Sequence, residues 1–341
     1  MLRIGIVGIG FMGMIHFYGA KKLRGAKVAA ISTRNAKKLA GDWSSIQGNF
    51  GPRGKKNEVL TGVAKYAEIG QLLADPSIDL VDICLPTDQH AEVAITALKA
   101  GKHVLVEKSI ALEVREADRM LAAAKRAGRQ LMVAHVLPFF PEFAFARQVI
   151  ESRQYGKLLG AHFKRVISKP TWSADIASLE KTGGPGVDLH IHDTHFIGLV
   201  CGVPRQVYSR GLTERGYVQY LTTHYLYDDP SVCVTCSSGA ICQAGRPFVH
   251  GYEIYFEKAT LLYESGTQPL TVLTADGKSQ QPKLGSGDPI VAFTAELQHA
   301  ASVVQNKAEP AELSGKLARD ALLLCHREGQ SVLSGKAVRV S

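Results

Sequence analysis

A short apolar run, Leu2 to Val7, leads directly into Gly8-Ile9-Gly10-Phe11-Met12-Gly13, and an amphipathic stretch carrying Met14, Ile15, Phe17 and Tyr18 follows. Strand, glycine turn and helix in this order, with a second strand at Lys27 to Ile31, leave few folds open. Gly8 allows the tight turn. Gly10 lets backbone N–H groups approach a pyrophosphate without a Cβ in the way, and Gly13 lets the new helix lie against the strand. Phosphates would rest on the helix N-terminus, beside Phe11 and Met12, where unpaired N–H groups and the helix dipole favour negative charge. A bare GxGxxG is a weak signal, but here it has the flanking strand and helix that a dinucleotide site requires.

Strand and helix signals keep alternating to about residue 135: strands at 2–7, 27–32, 63–66, 79–85, 103–106 and 130–135, with helices between them. That alternation predicts a parallel sheet covered by helices on both faces. In such a sheet ligands bind off the carboxyl ends of the strands. The strand Asp79 to Leu85 stops at Pro86, and His103 to Val106 stops at Glu107-Lys108, so Pro86, His90, Glu107 and Lys108 are expected near the cofactor. The segment Gly41 to Leu60 reads as a long surface loop that Trp43, Ile46 and Phe50 could pin down. After residue 136 the pattern changes. A helix at 141–152, a strand at 158–167, a helix from Gly186 to Cys201 and short alternating segments from Gln206 to Leu273 predict a largely antiparallel sheet. The fold class is therefore α/β: a Rossmann domain over 1–135, then an α/β domain over 136–341 with a large, mostly antiparallel open sheet. The chain's 341 residues, 45% of them apolar, suit two packed domains.

No run of eighteen apolar residues occurs, so no membrane span is expected, and a nucleotide strand beginning at residue 2 leaves no room for a signal peptide. The expected location is the cytoplasm. Six cysteines lie in or beside apolar stretches, which suits reduced thiols better than a disulfide framework. Cys233 and Cys236 have CxxC spacing but sit in an alternating β-like stretch with no second pair, so neither zinc nor redox use is expected. The net charge of +9 comes from short basic clusters without interleaved aromatics, which points to solvated surface rather than to nucleic-acid binding.

Three segments coincide: the glycine turn, Gly101-Lys-His-Val-Leu-Val-Glu107-Lys108, and Gly183-Gly-Pro-Gly-Val-Asp188-Leu-His-Ile-His192-Asp193. Together they resemble the glucose–fructose oxidoreductase / inositol dehydrogenase / MocA (Gfo/Idh/MocA) family, over nearly the whole chain. The resemblance implies a Rossmann domain, an open-sheet second domain, hydride transfer on sugar or cyclitol hydroxyls, and dimers or tetramers assembled through that sheet. It places Lys108 on the family's catalytic lysine and Asp188 and His192 on its carboxylate–histidine pair. Two positions depart from the family pattern. Ser109 stands where proline usually follows the lysine, and Pro138 where many members have arginine, which removes a cationic substrate contact.

The residues themselves support that assignment. Asp188 and His192 are four apart and share a face on a helix. An imidazole held by a carboxylate is a good general base near neutral pH, and Lys108 could hydrogen-bond the same hydroxyl and favour alkoxide charge. The alternative is a solvated strand terminus and a helix-stabilising pair. His195 follows on the same face, at i+7 from Asp188, while His190 and Asp193 fall to another side. His195 is expected to contact substrate hydroxyls or to pack under the catalytic pair. Two histidines with a carboxylate form a conceivable metal set, but three residues on one helix rarely chelate an ion alone, and no metal is expected. Trp172 either stacks on a sugar's C–H face or anchors its loop in the core. His90 lies near the cofactor or simply starts a helix.

At the end of the second strand, Ile31-Ser-Thr-Arg-Asn35 lacks the carboxylate that would bind the ribose 2′-hydroxyl of NAD. Ser32, Thr33 and Arg34 suit a 2′-phosphate, so NADP is expected over NAD. The expected activity is an NAD(P)-dependent oxidoreductase on a carbohydrate-like hydroxyl. Transient oxidation serving glycosidic cleavage or epimerisation, and a non-catalytic cofactor sensor, are its rivals.

Overall fold

The computed structural model describes residues 1–48, 50–169 and 178–340, which gather into two compact units. The first comprises Met1–Phe139 with Ser286–Arg319, the second Phe140–Gly285 with Asp320–Ser341.

In the first unit six strands, β1 (Leu2–Val7), β2 (Ala26–Ser32), β3 (Ala64–Tyr66), β4 (Leu80–Ile83), β5 (His103–Glu107) and β6 (Leu131–Ala134), form a sheet ordered β3-β2-β1-β4-β5-β6. Every pairing is parallel, as a doubly wound nucleotide fold demands. The helices between them are α1 (Phe11–Ala20), α2 (Ala36–Ala40), α3 (Ile69–Ala74), α4 (His90–Lys99) and α5 (Val114–Ala127). With helices on both faces the central strands are buried on both sides, and Leu80, Val81, Ile83, Val104, Leu105 and Val106 are fully inaccessible. That is why these strands read as continuous apolar runs rather than alternating ones. The loop after α2 behaves as its aromatics predict. Trp43 and Ile46 join the core of the first unit, and Phe50 meets Phe11 edge-on at 4.8 Å.

The second unit opens with α6 (Pro141–Ser152) and β7 (Leu158–Ser168), then short helices α7 (Leu179–Thr182) and α8 (Pro185–Asp188) before α9 (Ile191–Cys201). Strands β8 (Gln206–Glu214), β9 (Tyr217–Leu226), β10 (Cys233–Cys242), β11 (Val249–Phe256), β12 (Ala259–Glu264), β13 (Gln268–Thr274) and β14 (Ser279–Gln280) complete the antiparallel part. The nine-stranded order is β14-β13-β12-β11-β7-β10-β9-β8-β15, where β15 is Val338–Arg339, and only β7 and β10 run parallel. One face is filled by aromatics: Phe143 of α6 packs edge-on against Phe196 of α9 at 5.1 Å and against Tyr252 of β11 at 5.2 Å. Cys233 is exposed and Cys236 buried, and both are free thiols, as residues three apart on a strand must be when they point to opposite faces.

After β14 the chain forms α10 (Pro289–Asn306) and α11 (Gly315–Ser334). A boundary at residue 135 with everything later in the second domain does not describe these units, because α10 belongs to the first. Its Leu297, Ala300, Ala301 and Val303 lie in the same core as Met14, Phe17 and Ala20 of α1. Gly19 lets the two helices approach, since a Cβ there would lie 3.3 Å from Leu297 Cδ1. Apolar periodicity marks α10 as a helix, but it carries no information about which core the helix fills.

Candidate active site

The glycine turn fits a dinucleotide at each position. Gly8 has φ +93°, and a Cβ there would sit 2.5 Å from the Cys84 carbonyl oxygen. At Gly13 a Cβ would sit 2.0 Å from the Gly8 carbonyl oxygen, so any side chain would force α1 off β1. Gly10 is different: nothing lies within 4 Å of where its Cβ would point. That open space faces a helix start with no side-chain cap and no acidic residue in its first turn. The N–H groups of Phe11, Met12 and Gly13 have no partner within the helix, and they are the donors a pyrophosphate uses. The Phe11 side chain, by contrast, is occupied by Phe50.

The end of β2 offers polar groups without an acid. Ser32 is buried, and its hydroxyl has no hydrogen-bond partner among the described residues. Thr33 accepts the Asn35 N–H through Oγ1 at 3.3 Å, and Asn35 in turn caps α2 by accepting from Lys38 N at 3.1 Å. Arg34, between them, is exposed.

Two other strand ends lie in the same sheet. Pro86 follows β4 and begins a tight turn whose Gln89 N–H returns to the Pro86 carbonyl at 3.0 Å. His90 is fully buried, and its ring nitrogens lie 2.8 Å from the carbonyls of Leu85 and Ser109. Both nitrogens are therefore committed to the backbone. His90 ties the loop after β4 to the loop after β5. At the end of β5 the Glu107 carboxylate accepts the Lys108 N–H at 3.1 Å, Glu107 is buried and Lys108 is partly exposed. The Lys108–Ser109 peptide bond is cis.

In the second unit the expected single helix from Gly186 to Cys201 is two. Asp188 closes α8, Leu189 and His190 stay in right-handed conformations, and α9 begins at Ile191. The His190 N–H reaches back to the Pro185 carbonyl at 3.1 Å, one residue further than an α-helical bond. Such a wide turn is common at functional sites. Asp188 and His192 are both partly exposed, whereas His190, Asp193 and His195 are buried. Burial and partner choice thus separate the polar residues of this segment into two groups. His190 Nε2 lies 2.9 Å from Glu328 of α11, with both side chains inaccessible. Burial opposes the charged ring there, but the Glu328 carboxylate outweighs it and raises His190 above the ordinary imidazole range. Asp193 pairs with Arg165 of β7 through two hydrogen bonds, at 2.8 and 3.1 Å. His190 and Asp193 fix α9 to α11 and to the sheet, whereas Asp188 and His192 are the partly exposed residues of the segment. Trp172 lies outside the described residues.

Sequence reasoning did not find Arg165, Glu328 or the partners of His16 on α1. The available signal was a charge in an apolar frame: Asp82 interrupts Leu80-Val81-Asp82-Ile83, and His16 stands between Ile15 and Phe17. A buried ionisable group in such a frame must have a partner.

Residues 2–135 match the family described as an oxidoreductase family with an NAD-binding Rossmann fold (GFO_IDH_MocA). Over its whole length the chain is similar to the myo-inositol 2-dehydrogenase of Thermotoga maritima, at 25% identity covering 99% of this chain and 98% of that one. It is also 25% identical to the scyllo-inositol 2-dehydrogenase (NAD(+)) of Bacillus subtilis, covering 91% and 88%. Among solved structures, an oxidoreductase from Agrobacterium radiobacter in complex with NAD+, L-tartaric acid and magnesium shares the fold with a TM-score of 0.79 at 19% identity, over 99% and 98% of the two chains. Residues 2–135 thus carry the NAD-binding Rossmann fold of that oxidoreductase family, and the chain as a whole is similar to the inositol dehydrogenases just named.

Proposed function

We propose that the protein oxidises a secondary hydroxyl of a sugar, a cyclitol or a related derivative, or reduces the matching ketone, with NADP as the preferred partner. The observation that carries this reading is the accessible Asp188 and His192, separated from the buried His190 and Asp193 of the same segment, together with Lys108 at a strand end of the nucleotide sheet. His192 takes the hydroxyl proton, and the Asp188 carboxylate stabilises the imidazolium that results. Lys108 donates to the oxygen as alkoxide charge develops. The bound nicotinamide supplies the acceptor for the hydride leaving that carbon. His195, which is buried, is assigned to packing under this pair. Screening cyclitols, aldoses and sugar acids for a change in nicotinamide absorbance tests the activity, and absence of net cofactor turnover with all of them would overturn it.

The preference for NADP rests on the exposed Arg34, the unpartnered hydroxyl of Ser32 and the absence of a carboxylate between Ile31 and Asn35. A charge-assisted contact to a 2′-phosphate contributes about 1.5–3 kcal/mol, or roughly ten- to a hundredfold in affinity. Calorimetry should show tighter binding of NADP than of NAD, and Arg34→Ala should lose that margin while leaving NAD binding unchanged. Equal loss for both cofactors would place Arg34 outside the site.

The open sheet supports self-association. The strand register puts Leu212, Leu226, Tyr255 and Leu273 on one face of the second unit's sheet, and each is about 40% exposed or more. A broad face with such residues exposed is usually covered by a partner. A second copy of the chain is the proposed partner, giving a dimer or a dimer of dimers. Light scattering at micromolar concentration should give a multiple of 36.9 kDa, and the mass of a single chain would contradict it.

A further inference from the structure

Beneath the glycine turn the first unit holds a set of ionisable side chains that the proposed chemistry does not use. His16, on the sheet-facing side of α1, is fully inaccessible. Its Nδ1 lies 2.9 Å from Asp82 of β4, and its Nε2 lies 3.2 Å from Glu107 of β5 and 3.8 Å from Glu296 of α10. The Cys84 sulfur approaches the same Nδ1 at 3.5 Å, and the Phe293 ring of α10 stands 6.0 Å away. These are the groups that face the imidazole from β4, β5 and α10.

We propose that His16 is a positioning residue for the loop that carries the reactive lysine: it bridges Asp82 to Glu107, and Glu107 passes that restraint to the backbone of Lys108. The link has two measured parts. One Glu107 oxygen faces the ring, and the other accepts the Lys108 N–H at 3.1 Å. The Glu107 carboxylate is drawn to the imidazole by charge at one oxygen, without a hydrogen bond, and accepts the Lys108 N–H at the other, so the peptide leading into Lys108 is restrained from below. The inference rests on the catalytic reading of Lys108, for which a displacement of about 1 Å can cost on the order of a hundredfold in rate.

The charge state follows from the surroundings. Each ring nitrogen faces a carboxylate, so a neutral imidazole would turn one lone pair toward an anion. Burial disfavours the cation, but Asp82, with Cys84, outweighs it and keeps His16 charged well above the ordinary imidazole range. Glu296 goes the other way. Both its oxygens are buried without a hydrogen bond, and burial, opposed by His16 and reinforced by Glu107 and Asp82, keeps it protonated. One cation thus sits between two carboxylates and a neutral acid. Because His16 and Glu296 both hold protons more tightly here than in the unfolded chain, the linked stability is fully present only below their unfolded values, 4.5 for the carboxyl and 6.5 for the imidazole, and is lost as pH rises through their folded values.

Histidine NMR on the unsubstituted protein with NADP bound reads the first part directly: the His16 ring should lose its proton at higher pH than a free imidazole, and loss at the same or lower pH would overturn the proposal. The second part is a coupling. His16→Leu and Glu107→Gln should each lower kcat about ten- to a hundredfold with KM for the substrate nearly unchanged, and the double variant should be no worse than the poorer single one. Additive losses, or a normal kcat in folded His16→Leu, would overturn it. If His16→Leu does not fold, His16→Gln is measured in its place, and the NMR result stands on its own. Lys108→Ala separates this inference from the reading it rests on. Retained turnover in that variant would remove the catalytic role of Lys108, while coupling between His16 and Glu107 would still show in the Lys108 amide shift.

Discussion

His192→Ala and Lys108→Ala should each cut turnover by about a hundred- to ten-thousandfold, the usual cost of losing a general base or a donor to developing oxyanion charge. Neither change should unfold the protein. His192 is only partly buried on α9, and Lys108 is partly exposed at the end of β5, so truncation leaves no closed cavity and no unpaired buried charge. Binding of the adenine half of the cofactor, which depends on the glycine turn and the end of β2, should be unaffected. Asp188→Asn is expected to be milder. It keeps the shape beside the imidazole but removes the negative charge that stabilises the protonated ring. Turnover within a few-fold of normal in both alanine variants would show that the chemistry lies elsewhere.

The parts of this arrangement that were legible in the sequence are those where local rules act alone. The glycine turn is one, because a Cβ at Gly13 would meet the Gly8 carbonyl oxygen within the same short segment. The parallel sheet is another, since strands buried on both faces must be written as apolar runs. What the sequence did not disclose depends on chain segments far apart. Nothing local distinguishes His190, paired with Glu328 138 residues later, from His192 two residues on. Helical spacing placed His190 and Asp193 away from Asp188 and His192 but could not say that their side is the buried one. It also overstated the regularity of the segment, because the wide turn closed by His190 and Pro185 is set by packing and not by propensity. His90 shows the same limit. Its position after Pro86 suggested the cofactor, and nothing local announced its contacts with the Leu85 and Ser109 carbonyls, the second of them 19 residues on.

The largest effect on stability is expected at Arg165 and Asp193, which carry opposite charges with 4% and 0% of their side chains accessible. Desolvating both charges is costly, and two hydrogen bonds between them offset much of it. The pair is therefore close to neutral as a whole but costly to break. Asp193→Leu should destabilise the fold by about 3–5 kcal/mol, since it strands a buried guanidinium beside Phe248 and His250 with no carboxylate to meet it. In a unit of this size that corresponds to a fall in Tm on the order of ten degrees. Replacing both partners, Arg165→Met with Asp193→Leu, should recover most of the loss, because no unpaired charge remains. Turnover then distinguishes anchoring from mere cohesion. If the ion pair sets the pose of α9, the double variant should fold well yet stay slow, because an apolar contact does not fix the helix's rotation as two directed hydrogen bonds do. Calorimetric unfolding of Asp193→Leu within 1 kcal/mol of the unsubstituted protein would refute the anchoring role, since a charge buried to this degree cannot lose its partner without cost.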